Sequence, residues 1–457
     1  MKVLLVYPRA GAEIIGAGDL GAIAEPLALE YLAAGARQAG HEVRLHDLRL
    51  RPDGLDGVLE EFRPHVVGLT GYSMHVLRNL ATCRRVKELL PECRTVVGGH
   101  HATLLPEDFF EPEVDHVVRG EGVWPFVEIL RNLERGSPAT SVAGVWSNSD
   151  GVFRSGGDPV PFDLDSIPPP DRSVTAGDRA SYFIDWMSPI ALLRSTVGCP
   201  YRCSFCSLWR IMDGKYHIRG VARVVAELAS VPEECVFLVD DEAFINRKHM
   251  LELAQAVHDA GLRKRYFTYC RIDTFLREKE LLTAWRRIGL ERLFIGIEAV
   301  SVKGLADYNK RLTVAQIEEG LAAARDLGIA VFAGFIVNTS FTRRDFQVLA
   351  RFIEHQKIDY PSFTVLTPLP GTDALRSFDD VVERQPNGRP NWELFDLQHP
   401  VTRTTLPKQE FLREYEQLQR DFGGRSLAYR EGLLTHQRRE RLERLQAGGG
   451  TPPPSWG

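Results

Sequence analysis

Residues 194–209 read RSTVGCPYRCSFCSLW and place Cys199, Cys203 and Cys206 within eight residues of a chain that has only seven cysteines. The apolar run ALLRSTV leads into them, so the three thiols follow the carboxyl end of a strand. Thiolates are soft ligands, suited to zinc or to iron–sulfur clusters. Structural zinc normally closes its tetrahedron with four protein ligands; this loop offers three, with no partner C-x-x-C pair, and His217 would have to be the fourth. A four-iron cluster held by three cysteines leaves one iron open to a substrate, whereas a fully ligated cluster only carries electrons.

That strand is the first of six. ALLRSTV, CVFLVD, YFTYC, RLFIGIE, VFAGFIV and SFTVLTP are separated by helical patterns. Val221, Val224, Val225 and Leu228 share one helix face, and Met250, Leu253 and Val257 another, on a helix that stops at Gly261. A complete eightfold barrel takes ~250 residues. Residues 191–375 suit six units, which predicts a partial (β/α)6 barrel whose site sits at the carboxyl ends of its strands.

Residues 1–130 also alternate strand and helix: KVLLVY, PLALEYLAAGARQAG, EVRLHDL, VVGLTGY, a helix near 76–90, TVVGG and HVVRGEG. Continuous apolar strands joined by helices predict a doubly wound parallel sheet. Pro26 suits the first helix's first turn and Gly40 its end. Gly71, Gly98-Gly99 and Gly120-Glu121-Gly122 follow strands, where a ligand crevice forms in such sheets. Residues 131–190, containing SNSDGVFRSGGDPVPF and SIPPPDRS, read as a linker. Residues 376–440 read as a helical C-terminal region and 441–457 as a disordered tail. The fold class is α/β throughout.

Forty-four per cent hydrophobic residues, 26 per cent charged residues and a net charge of −5 describe a globular chain without the bulk basic field that nucleic acid requires. MKVLLVY is too brief for a secretory signal and no segment approaches a membrane span, so the expected location is cytoplasmic and the expected ligand small. Cys83, Cys93, Cys235 and Cys270 are expected to be buried, inert thiols.

C-x-x-x-C-x-x-C after the first strand of a six-unit barrel resembles the radical S-adenosylmethionine (SAM) enzymes. The resemblance implies that Cys199, Cys203 and Cys206 carry a [4Fe-4S] cluster, with Phe205 beside the cofactor. It implies that the open iron chelates the SAM amino and carboxylate groups, and that an electron from an external one-electron reductant cleaves SAM to a 5′-deoxyadenosyl radical. Asp240, Asp241 and Glu242 at the second strand end would then face the SAM ammonium, Arg271 at the third its carboxylate, and Glu298 at the fourth the ribose. Pro368 and Pro370 would back the adenine.

PLALEYLAAGARQAGHEV, RPHVVGLTGYS, VVGGHHATLLPE, DHVVRGEG and SIPPPDR resemble the radical SAM group with an N-terminal cobalamin-binding domain. The Asp-x-His-x-x-Gly loop that elsewhere supplies histidine to cobalt is absent, so cobalamin stays open, and His100 and His101 read as exposed loop histidines. Two reactions follow from the resemblance. The favoured one is radical dehydration of a vicinal diol on an aminosugar such as paromamine, as in aminoglycoside antibiotic biosynthesis. Tyr216 would supply the proton for the departing oxygen, or would only pack and bond backbone. A separate NAD(P)H-dependent reductase would act on the ketone, because no G-x-G-x-x-G opens the chain. The alternative is cobalamin-dependent C-methylation. A non-enzymatic electron carrier or corrin-binding module is the third reading, against which the missing fourth cysteine argues.

Overall fold

A computed structural model describes residues 1–10, 22–137, 141–161, 163–184, 187–375 and 377–423. The described chain forms two compact units, one comprising Glu25–Tyr182 together with the first strand, the other comprising the described residues from Phe183 to 423. No helix among the described residues is long and apolar enough to cross a membrane.

The first unit is built on strands β1 (Lys2–Tyr7), β2 (Glu42–Asp47), β3 (Val66–Leu69), β4 (Arg94–Val97) and β5 (His116–Val118). Helices α1 (Leu27–Gln38), α2 (Leu55–Phe62), α3 (Val76–Leu89) and α4 (Val123–Glu134) connect or follow them. The five strands pair in parallel in the order β2-β1-β3-β4-β5. Val3, Leu4, Leu5 and Val6 are all fully buried, as a strand covered on both faces requires. Strand order reverses between β1 and β3, the place where open α/β sheets leave a crevice at their carboxyl ends.

Part of the predicted linker belongs to this sheet. Strands β6 (Val145–Ser149) and β7 (Val152–Ser155) add an antiparallel hairpin beyond β5. Its turn has Asp150 at φ 54° and Gly151 at φ 83°, the two positive angles of a tight two-residue hairpin turn. The helix α4 likewise runs across residue 130.

The second unit has six parallel strands in sequential order: β8 (Ile190–Leu193), β9 (Cys235–Leu238), β10 (Arg265–Tyr269), β11 (Leu290–Glu298), β12 (Ala330–Val337) and β13 (Tyr360–Val365). Each predicted run supplies one of them. Between them lie α5 (Val221–Ser230), α6 (Arg247–Asp259), α7 (Ile272–Arg277), α8 (Lys279–Arg287), α9 (Val302–Asp307), α10 (Val314–Asp326) and α11 (Arg343–His355). The core is continuous from Val224 and Met250 on the helices to Leu293 and Val337 on the strands. The order ends at β13 without returning to β8, so the barrel is open.

Of the predicted helical region 376–440, residues 424–440 lie outside the described residues, and 377–423 are helical only in part. Short 3-10 turns and isolated bridges occupy 378–402, and one longer helix follows, α12 (Lys408–Leu418), which packs Phe411 edge-on against Phe346 of α11. Five prolines and glycines between 386 and 407 break the helical pattern there. The predicted tail lies outside the described residues. Cys83, Cys93, Cys235 and Cys270 are buried free thiols, as expected.

Candidate functional site

The cysteine segment leaves the barrel directly after β8. Thr196–Val197 pair antiparallel with His217–Ile218, which closes the segment at its base. Gly198 sits at φ 96°, and a Cβ there would lie 2.1 Å from the carbonyl of Lys215, so both the backbone angle and the close approach require glycine. The loop is pinned on its far side by residues a hundred positions away. Ser204 N–H donates to the Tyr308 carbonyl (3.2 Å), Asn309 Nδ2 to the Arg202 carbonyl (2.8 Å), and Ala374 N–H to the Ser204 carbonyl (2.9 Å).

The strand-end carboxylates have duties the sequence reading did not assign. Asp240 is fully buried; its Oδ1 accepts from Ser195 N–H (2.7 Å) and Thr196 N–H (3.0 Å), and its Oδ2 from the Ser195 hydroxyl. In this position it braces the start of the cysteine loop: β8 has ended there, and its orphan N–H groups need an acceptor. Burial pushes the Asp240 carboxyl up to about 6, against these hydrogen bonds. Asp241 accepts from Gly198 N–H (2.7 Å), bracing the same turn, and burial raises its pKa too. Glu242 accepts from Arg271 N–H (2.8 Å), and burial pushes it up to about 7.

Arg271 is committed within the protein rather than reaching outward. Nε and Nη2 donate to Asp273 (2.9 and 3.2 Å), Nη2 also to the Lys310 carbonyl (2.8 Å), and Nη1 to Cys203 Sγ (3.6 Å). The guanidinium stacks over Tyr201 at 3.9 Å. These contacts take four of its five N–H donors. Glu298, at φ 67° beside a register shift in β11, accepts from Lys310 Nζ at 3.1 Å. Lys310 is buried, 5.8 Å from the centre of the Phe205 ring, which in turn meets Tyr308 edge-on at 5.5 Å. Tyr201, Tyr308 and Lys310 are site residues that sequence reasoning missed, and no local motif marks them.

The Tyr216 hydroxyl donates to the backbone carbonyls of Glu242 (3.3 Å) and Ala243 (3.5 Å), and burial raises its pKa. These are the backbone contacts that the packing reading expects.

The donor set fits an iron–sulfur cluster. Cys199 and Cys206 lie within electrostatic reach of each other and of Cys203, and burial pushes the first up to about 11 and the second to about 12. Such thiols become thiolates when a cation replaces the proton.

A cavity of about 460 Å³ opens beyond the ends of β12 and β13, lined by Thr339, Leu366, Pro368, Ala374, Asp380 and Arg403 among others. Ala374 is the residue that bonds the cysteine loop, so the cavity borders it.

In the first unit, the carboxyl ends of β3 and β4 meet closely: a Cβ on Gly99 would lie 2.6 Å from the backbone N and O of Gly71. Tyr72 is exposed there, with His100 edge-on at 4.8 Å. His101 is not the exposed residue expected. It is buried, with Nδ1 2.9 Å from the Ser73 hydroxyl and Nε2 2.9 Å from Asp108. His75 is buried as well, its Nδ1 accepting from Tyr72 N–H at 3.1 Å. A glycine-lined rim with an exposed aromatic fits a broad flat ligand such as a corrin, without His75 or His101 turned outward as a metal ligand.

Comparison with known proteins bears on both units. The B12 binding domain family matches residues 14–130 and the radical SAM superfamily residues 193–353. Hopanoid C-3 methylase of Methylococcus capsulatus is 34% identical over 400 residues, covering 85% of this chain and 75% of that protein. Anaerobic magnesium-protoporphyrin IX monomethyl ester cyclase of Cereibacter sphaeroides is 28% identical over 407 residues, covering 84% and 64%. The structure of the cobalamin-dependent SAM radical enzyme OxsB with aqua-cobalamin and SAM bound aligns with a TM-score of 0.69 at 15% identity, over 92% of this chain and 66% of that one, a likeness of fold. The relatives favour methylation over the dehydration expected from sequence. With one relative this similar spanning both units, the chain belongs to the radical SAM enzymes that carry an N-terminal B12-binding domain, a family that uses a [4Fe-4S] cluster and SAM.

Proposed function

We propose that this protein is a cobalamin-dependent radical SAM C-methyltransferase acting on a small molecule. The observation that carries the reading is the 34% identity to a methylase across 400 residues, which spans the B12-binding unit as well as the barrel. Cys199, Cys203 and Cys206 hold the cluster, and the first unit's strand ends near Gly71, Tyr72 and Gly98 take the corrin. When bound, the cluster and SAM supply radical chemistry at an unactivated carbon, and cobalamin supplies the methyl group.

The chain's own residues set the stage for this. Asp240 and Asp241 fix the turn that presents Cys199, and Tyr308 and Asn309 fix the segment around Cys203. Substrate enters the cavity bordered by Ala374 and Arg403, inside the size range of small-molecule sites.

The test is anaerobic reconstitution with iron, sulfide and hydroxocobalamin, followed by cobalt analysis and turnover with methyl-deuterated SAM. Stoichiometric cobalt and a product carrying the labelled methyl are expected. Loss of water from the substrate, or a ring closure without label, would overturn the assignment. Serine at any of the three cysteine positions is expected to abolish iron retention and 5′-deoxyadenosine formation.

A further inference from the structure

We propose that Arg271 is a positioning residue that sets the reduction potential of the cluster through its hydrogen bond to the sulfur of Cys203. The proposal rests on the reading that the three cysteines hold an iron–sulfur cluster, and it does not depend on what the radical later does.

The three thiols are not equivalent. Cys199 and Cys206 take backbone hydrogen bonds, from Tyr201 and Leu208 respectively. Cys203 takes a charged side-chain donor instead, Arg271 Nη1 at 3.6 Å. That donor is held from every side: Asp273 grips the Nε and Nη2 edge, the Lys310 carbonyl takes a second Nη2 hydrogen, Tyr201 covers the guanidinium face, and Glu242 holds the residue's own N–H. With Asp273 at the opposite edge, the end directed at the sulfur is the positive one. Only 7% of the residue is exposed, so water screens this end poorly.

A cluster gains one negative charge on reduction, and part of it spreads onto the thiolate sulfurs. A fixed N–H donor with positive charge at one sulfur favours the reduced form more than the oxidised one, and hydrogen bonds to the sulfurs are a recognised determinant of cluster potential. Lys310 directs its ammonium to Glu298 at 3.1 Å, whereas Arg271 keeps Nη1 on the Cys203 sulfur while Asp273 holds its other edge. Arginine suits the task because it stays charged when buried and its planar fork permits stacking and three-way bonding at once.

The experiment is an EPR-monitored potentiometric titration of anaerobically reconstituted protein without SAM, comparing wild type with Arg271→Gln at matched iron and sulfide content. The expected result is a reduction equilibrium about tenfold less favourable in the variant, a midpoint ~59 mV more negative for a one-electron couple. An unchanged midpoint at matched iron overturns the proposal. Should Arg271→Gln fail to load, Arg271→Lys and Tyr201→Leu are read in the same way: each weakens the fork's aim without removing the cation, so a smaller negative shift supports the proposal and no shift overturns it. If wild-type protein itself shows no cluster signal, the cluster assignment fails. If the midpoint shifts but no methyl label is transferred, only the methyltransferase reading fails.

Discussion

Asp240 and Arg271 sit at neighbouring strand ends, and both bond the cysteine segment, Asp240 at Ser195 and Thr196 and Arg271 at Cys203. Asp240→Ala would leave the Ser195 and Thr196 N–H groups buried without an acceptor, at a cost of about 1 to 3 kcal/mol each. The expected outcome is a lower melting temperature of the cluster-free protein. A SAM-binding role would instead weaken SAM binding and leave melting unchanged. The cysteines were legible because their spacing is local. Asp240 was found as a residue but its bonds to Ser195 and Thr196 were not, since they depend on how β9 aligns with β8, which no single stretch of sequence states. Tyr201, Tyr308 and Lys310 were silent for the same reason: Tyr201 meets Arg271, Tyr308 meets Ser204 and Lys310 meets Phe205, partners far away along the chain.

Among elements, the six barrel strands were readable because each is a short apolar run bounded by breakers, and the first two, Ile190–Leu193 and Cys235–Leu238, are buried at every position. The β6–β7 hairpin was hidden in a polar, glycine-rich stretch, although Asp150-Gly151 is itself a hairpin signal. The last element is the easiest to test. Phe411 is fully buried between α12 and α11, and Phe411→Ala is expected to lower the second unit's stability by about 3 to 5 kcal/mol, read by denaturant unfolding. Gly198→Ala, which drives a methyl group into the Lys215 carbonyl, is expected to reduce iron uptake while far-UV circular dichroism stays at the wild-type level.

Over the whole chain, buried titratable groups give the two units opposite responses to pH. In the first, burial lowers His75 to about 3 and His116 to about 4, so the folded state binds fewer protons than the unfolded one. Stability present above pH ~6.5 is lost as pH falls toward those values. In the second, Asp240 and Glu242 are raised to about 6 and about 7, so their contribution is complete below pH ~4 and is lost as pH rises through 6 to 7. His75→Gln in cluster-free protein is therefore expected to move the acid unfolding limb to lower pH, followed by tryptophan fluorescence. An unmoved limb would show that His75 already protonates in the folded state.

The two-residue ladder joining Thr196–Val197 to His217–Ile218 ties off the cysteine-bearing excursion below its sulfurs. Oxygen that destroys the metal centre thus strips the contents of a purse whose drawstring remains pulled. The emptied protein is expected to keep its barrel and to accept fresh iron and sulfide without refolding, so that repair after air exposure is a matter of refilling.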